Sequence, residues 1–167
     1  MIESRAVLGL SIGTRKIGAA VIKNNHLECA RVFVFAGRWS EIKLQRMLRK
    51  IKYKVYKYHI DSFSLKIPPS SHHTIGLKAL IKAIKEYCKD RDITLHICTF
   101  KELKAHRMAE EIKNKKMLVQ ALGNKYPQLY FKAKKEQANR NMHHTRMFEA
   151  VAAAELLTEQ LNKVSQQ

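Results

Sequence analysis

The feature that most constrains this chain is a change of hydrophobic period near residue 40. Before it, Val7 to Ser11, Ile17 to Ile22 and Leu27 to Phe35 are short β-branched or aromatic runs, separated by the turn-like stretches IGTRK and KNNH. Strands joined by such short turns pair with their neighbours, so an antiparallel three-stranded meander is expected. After it, Leu44, Met47, Leu48, Ile51 and Val55 recur at spacings of three and four residues. With Ser40 placed to accept from orphan backbone N–H groups, this predicts an amphipathic helix.

Phe63 to Ile67 alternates as a strand and is stopped by Pro68-Pro69. A helix from about Thr74 to Arg91 turns Leu77, Leu80, Ile81, Ile84 and Cys88 inward, and Thr94 to Thr99 reads as another strand. Thr99 and Glu102 have capping-box spacing and open a short helix. Asn114 to Leu122 is expected to be helical with Gly123 as its stop, and Lys132 to Arg140 to be a basic, exposed stretch. The last helix runs from about Thr145 to Val164, and its alanines at 150 and 152–154 permit close packing on a sheet. The order predicts an α/β fold: a mixed five-stranded sheet, antiparallel meander plus two parallel strands, with helices packed on it. No repeat or boundary is visible, so residues 1–167 read as a single domain.

The chain carries 32 Lys+Arg against 14 Asp+Glu, a formal charge of +18. That is more than solubility requires, and the self-repulsion is relieved by a polyanion. Nucleic acid, DNA or RNA, is the commonest such partner, and an anionic membrane or an acidic protein bound by an adaptor are the rivals. The helix after Ser40 carries Lys43, Arg46, Arg49, Lys50, Lys52, Lys54 and Lys57 against Glu41, either as a binding face or as a solvated one. Trp39, Tyr53, Tyr56 and Tyr58 lie in or beside it, either to stack on bases or, for Tyr56 and Tyr58, to complete its buried edge. Arg15, Lys16, Arg46, Arg49, Lys50, Lys134 and Lys135 are the candidate phosphate contacts.

Cys29, Cys88 and Cys98 form no C-x-x-C pair and read as reduced, mostly buried thiols. Met108, Met117, Met142 and Met147 read as core filler. The opening MIESRAVLGLSIG is too short and too glycine-punctuated for a signal peptide, and no run reaches transmembrane length. A cytoplasmic location with no membrane partner is therefore expected.

The stretch LGLSIGTRKIGAAVI, Leu8 to Ile22, resembles the first hairpin of the RuvC-type branch of the RNase H-like nucleases, which includes Holliday-junction resolvases. FSLKIPPSSHHTIGLKALIKAIKEYCKDRDITLHICTFKELKAHR is similar to that family's strand, loop, long helix, strand and short helix. NKKMLVQAL followed by HHTRMFEAVAAAELL is similar to its last two helices. The resemblance spans nearly the whole chain and implies the RNase H-like fold, nucleic-acid binding and, as in the resolvases, a homodimer.

The chemistry it implies is two-metal phosphodiester hydrolysis, in which converging carboxylates hold two Mg²⁺ ions. At the implied ligand positions this chain has Ser11, Lys66 and Arg146, and only Glu149 is a carboxylate. Fixed positive charge at Lys66 and Arg146 disfavours bound cations by several kcal/mol in a partly buried site. The expectation is a domain without metal cofactor that binds without cutting, with Lys66 and Arg146 contacting phosphate. The alternative is an active Mg²⁺-dependent, structure-specific endonuclease whose ligands include Asp61, Glu102 or Glu110, or His144 beside Glu149. The doublets His72-His73 and His143-His144 suit transition metals by type, although adjacent histidines point apart. The Ser11-Ile12-Gly13-Thr14 turn also resembles the phosphate loop of actin-like ATPases, but the chain has no room for their second lobe.

Overall fold

A computed structural model describes residues 4–107, 111–138 and 143–167. Its five strands are β1 (Ala6–Ser11), β2 (Lys16–Lys23), β3 (His26–Val34), β4 (Ser62–Lys66) and β5 (Thr94–Cys98). The helices are α1 (Glu41–Tyr58), α2 (Ile75–Asp90), α3 (Phe100–His106), α4 (Lys115–Lys125), α5 (Tyr130–Ala138) and α6 (Thr145–Ser165). The strands form one sheet in the order β3-β2-β1-β4-β5. β1 pairs antiparallel with β2 and parallel with β4, β2 antiparallel with β3, and β4 parallel with β5. The expected mixed sheet, meander plus two parallel strands, is the one observed.

Local chemistry accounts for the element boundaries. Asn24 and Asn25 both adopt left-handed backbone, with φ of 51° and 65°, which the two-residue turn between β2 and β3 requires. Ser40, Thr74 and Asn114 cap α1, α2 and α4, their side-chain oxygens accepting from Lys43 N at 3.1 Å, Leu77 N at 3.2 Å and Met117 N at 3.0 Å. Thr99 caps α3 by accepting from Glu102 N at 3.4 Å, while the Glu102 carboxylate lies 4.0 Å from His96 instead of closing the box.

Strand alternation sorts the side chains onto two faces. Leu8, Leu10, Ile17, Ala19, Val21, Phe63 and Leu65 pack with Met47, Ile51, Leu80 and Ile84 of α1 and α2. The opposite face bears α6, with α3, α4 and α5 completing a second core around Leu103, Leu118, Leu122 and Ala133. In β1, β2 and β4 much of that face is made of small residues, Gly9, Gly18, Ala20, Ser62 and Ser64, with Val7 and Ile22 packing on Ala154 and Leu157 at one end. A Cβ on Gly9 would lie 2.0 Å from Ala150 O, and one on Gly18 2.0 Å from Arg146 O. The α6 backbone therefore rests directly on β1 and β2, and Ala150, Ala152, Ala153 and Ala154 are buried there. This contact fixes the height of every α6 side chain above the sheet.

Four expectations need correction. α4 continues through Gly123 to Lys125, because the missing side chain lets Ala133 approach; a Cβ there would lie 2.3 Å from the Ala133 Cβ. Lys132 onward is not merely an exposed stretch: residues 130–138 form α5, with Ala133 and Glu136 buried, although Lys134 and Lys135 are exposed. Lys43 and Lys54 leave the solvated face of α1, Lys43 Nζ donating to Gly37 O at 2.9 Å and Lys54 Nζ reaching Cys29 Sγ at 3.1 Å. Tyr56 is exposed and completes no buried edge, whereas Tyr58 and Trp39 are half-buried against the α1 and α2 core.

Met147 is buried and Met117 packs at the second core's margin, while Met108 and Met142 lie outside the described residues. Cys88 and Cys98 are buried and Cys29 is half-buried, all three as free thiols. No helix among the described residues is long and apolar enough to cross a membrane.

Candidate nucleic-acid interface

The carboxyl-terminal ends of β1 and β4 lie side by side, with Ser11 directly paired to Lys66. Both residues continue the alternation of the α6-facing row, so their side chains rise toward the helix. α6 brings Glu149 over them from one side, and Arg146 one turn earlier reaches past the end of β1. Close seating of the helix on Gly9 and Gly18 makes these short reaches possible.

At the centre the Lys66 ammonium is ion-paired with Glu149 Oε2, the two side chains 4% and 1% exposed. Ser11 donates from its hydroxyl to Glu149 Oε1 at 3.4 Å, and Lys115 Nζ from the start of α4 lies 3.7 Å from Oε2. Arg146 donates from one terminal nitrogen to Ile12 O at 2.8 Å. Its guanidinium lies against Gly13, where a Cβ would meet it at 2.6 Å. The Ser-Ile-Gly-Thr turn is thus occupied from above by this chain's own cation.

Burial pulls the Lys66 ammonium below the usual lysine value, Glu149 opposes that pull, and Lys115 and Arg146 add to it. Burial lowers Arg146 as well, again against Glu149. Cys98, paired with Lys66 in the next strand, has its thiol pushed up to about 11 by burial and is therefore an inert neighbour. The result is one buried carboxylate surrounded by Lys66, Lys115 and Arg146.

This centre does not fit Mg²⁺. A hard divalent cation needs several anionic oxygens, and here a serine hydroxyl and the ammoniums of Lys66 and Lys115 converge on the one carboxylate. The alternative ligands lie elsewhere. Asp61 is at the opposite end of the sheet, accepting from Ala6 N at 3.1 Å and from the Ser62 hydroxyl at 2.7 Å. Glu102 faces His96. His144 turns to Glu136, with 3.0 Å between its Nδ1 and Oε1, and does not join Glu149. His73 Nε2 contacts Pro68 O at 2.9 Å, and Glu110 is outside the described residues. Among the described residues no group of three or more His, Cys, Asp or Glu side chains is placed to hold a metal.

Of the expected phosphate contacts, Arg15, Arg46, Arg49, Lys50, Lys134 and Lys135 are exposed, Lys16 and Arg146 half-buried, and Lys66 buried. Lys66 is thereby withheld from direct contact with solvent, whereas Lys115, also beside Glu149, is exposed. Lys16 Nζ lies 3.2 Å from His143 Nδ1 beside the centre. Arg15, Lys16 and Arg38 line a groove of about 470 Å³ with Val34 to Gly37. Arg46, Arg49 and Lys50 line a second of about 380 Å³ with Val32 to Phe35.

Lys115 had no signal in the sequence, since its approach depends on how α4 crosses α6. Glu155 was missed too. It is buried and takes Arg107, Lys125 and the Tyr126 hydroxyl as partners, tying α3 and α4 to α6.

No family model and no curated protein matches the sequence. Solved structures do match the fold. Thermus thermophilus RuvC in complex with Holliday junction substrate superposes with a TM-score of 0.64 at 12% identity, covering 93% of this chain and 96% of that one. A further structure of Thermus thermophilus RuvC gives 0.65 at 8% identity with the same coverage. The yeast mitochondrial Holliday junction resolvase Ydc2 gives 0.59 at 12% identity, covering 96% of this chain and 83% of that one. The chain has the RuvC-type RNase H-like fold.

Proposed function

We propose that this is a nucleic-acid-binding RuvC-like domain that holds its substrate without cutting it. The observation that carries the reading is the Lys66–Glu149 ion pair, which puts a fixed ammonium on the one carboxylate where the fold's chemistry would need a cation-binding cluster. Fold likeness to proteins whose substrates are Holliday junctions supports branched DNA as the first ligand to test. The charge of +18 supports a polyanion independently of that likeness.

In this reading Lys66 acts indirectly. It neutralises Glu149, so that an approaching phosphate meets Arg146, Lys115, Arg15 and Lys16 with no net negative charge behind them. Lys134 and Lys135 extend the contact surface beyond the centre, while Arg46, Arg49 and Lys50 lie on α1, which packs on the other face of the sheet. A homodimer, as in the resolvases, would present two such surfaces to the arms of one junction.

A fluorescein-labelled four-way junction titrated in EDTA and in Mg²⁺ tests the proposal by anisotropy. Binding in EDTA is expected to be at least as tight as in Mg²⁺, because no phosphate contact passes through a metal and the divalent ion competes for the phosphates. Binding that appears only with the divalent ion, or no binding at all, contradicts it.

A further inference from the structure

The outward surface of α1 has a composition that neither the core nor the centre explains. Arg46, Arg49, Lys50, Tyr53, Tyr56 and Lys57 are all exposed. At 3.6 residues per turn they fall within roughly one third of the helix circumference, and from Arg46 to Lys57 the stripe is about 16 Å long. Tyr53 and Tyr56 are 57% and 82% exposed. Among the described residues no aromatic pair and no cation–π contact involves either ring, whereas Tyr58 lies under Lys54 and Lys57. Two neighbouring rings thus stand free among four cations.

The stripe borders the open edge of the sheet. β3 is an edge strand, and the groove between it and α1 holds Arg46, Arg49 and Lys50 above an apolar floor that includes Val34 and Phe35. The adjoining groove shares Val34 and Phe35 and adds Arg15, Lys16 and Arg38. No carboxylate is among the described residues that line the two grooves. A second copy of this chain would bring like charges together here, so charge complementarity selects a polyanion.

We infer that this face of α1, with the β3 edge, is a binding track for single-stranded nucleic acid, its phosphates on Arg46, Arg49 and Lys50 and its bases stacked on Tyr53 and Tyr56. Free rings beside cations match a strand whose base faces are open, while a duplex covers those faces. Its length corresponds to several stacked nucleotides at about 3.4 Å each. α1 packs on the sheet face opposite α6, so Tyr53 and Tyr56 lie across the sheet from the Lys66–Glu149 centre. The inference rests on the nucleic-acid-binding function proposed above.

The test measures binding of a fluorescein-labelled 20-nucleotide oligo(dT) and of the four-way junction in parallel. Tyr53→Ala/Tyr56→Ala is expected to weaken oligo(dT) about tenfold with an unchanged salt slope, because stacking releases no counterions. Junction affinity should change less than about twofold. Arg49→Glu/Lys50→Glu should weaken oligo(dT) and flatten its salt slope. All four positions are exposed, and thermal unfolding checks that each variant folds. Oligo(dT) binding unaffected by loss of both tyrosines overturns the inference, as does an equal loss on both probes, or wild type that binds the junction and ignores oligo(dT). Wild type that binds neither probe overturns the proposed function itself. Conversion of a dimer to a monomer by the tyrosine substitutions, with oligo(dT) affinity intact, assigns the face to self-association instead.

Discussion

Lys66→Met is expected to destabilise the protein by about 3–5 kcal/mol, since it leaves the Glu149 carboxylate buried without its main counter-charge. Glu149→Leu should cost at least as much, because it leaves Lys66, Lys115 and Arg146 facing one another around an apolar side chain. For a chain of this size the loss corresponds to a fall in Tm of about 10 °C. The double variant Lys66→Met/Glu149→Leu should recover most of it, since replacing both members of a buried pair by apolar residues of similar volume is often neutral. Thermal or urea unfolding of the four proteins closes the cycle. Additive single effects would mean that the two side chains do not interact, and the ion pair would lose its place in the account.

Affinity for the four-way junction is expected to fall about a thousandfold between 50 and 200 mM salt, with a slope of log K against log salt of about −5. That slope follows if Arg15, Lys16, Lys115, Lys134, Lys135 and Arg146 each displace counterions from one phosphate, at about 0.9 per contact. Lys115→Glu should weaken binding at every salt concentration and reduce the slope by about 1. The same measurement separates a polynucleotide partner from an anionic bilayer when vesicles containing phosphatidylserine replace the junction. A slope near zero on DNA, or tighter retention by the vesicles, would contradict the assignment of the basic surface.

The fold could be read from the sequence because its determinants are local. The turn asparagines, the helix caps at Ser40, Thr74 and Asn114, and the switch of period after Trp39 each act within a few residues. Gly123 misled for a reason no local rule contains: its lack of a side chain serves the packing of α5, not the end of α4. Lys43 and Lys54 likewise read as surface residues on a helical wheel. Each is drawn inward by one long-range acceptor, Gly37 O and Cys29 Sγ respectively.

The centre was legible in part. Ser11, Lys66 and Glu149 were expected to converge, and the register of β1 with β4 beneath α6 brings them together. Their pairing pattern was not legible. Whether Lys66 points out to a phosphate or in to Glu149 depends on the distance of α6 from the sheet, which Gly9, Gly18 and the α6 alanines set. The same closeness places Arg146 over Gly13 and lets Lys115 approach from α4. The sequence leaves His144 open as a partner of Glu149, and α5 supplies Glu136 to take it instead.

The most direct test of binding in place of cleavage is single-turnover incubation of the labelled four-way junction with excess protein in Mg²⁺ and in Mn²⁺, beside Glu149→Gln. Wild type is expected to retain the junction uncut in both metals, with the variant indistinguishable from it in cleavage. Metal-dependent strand scission by wild type that Glu149→Gln abolishes would contradict the account.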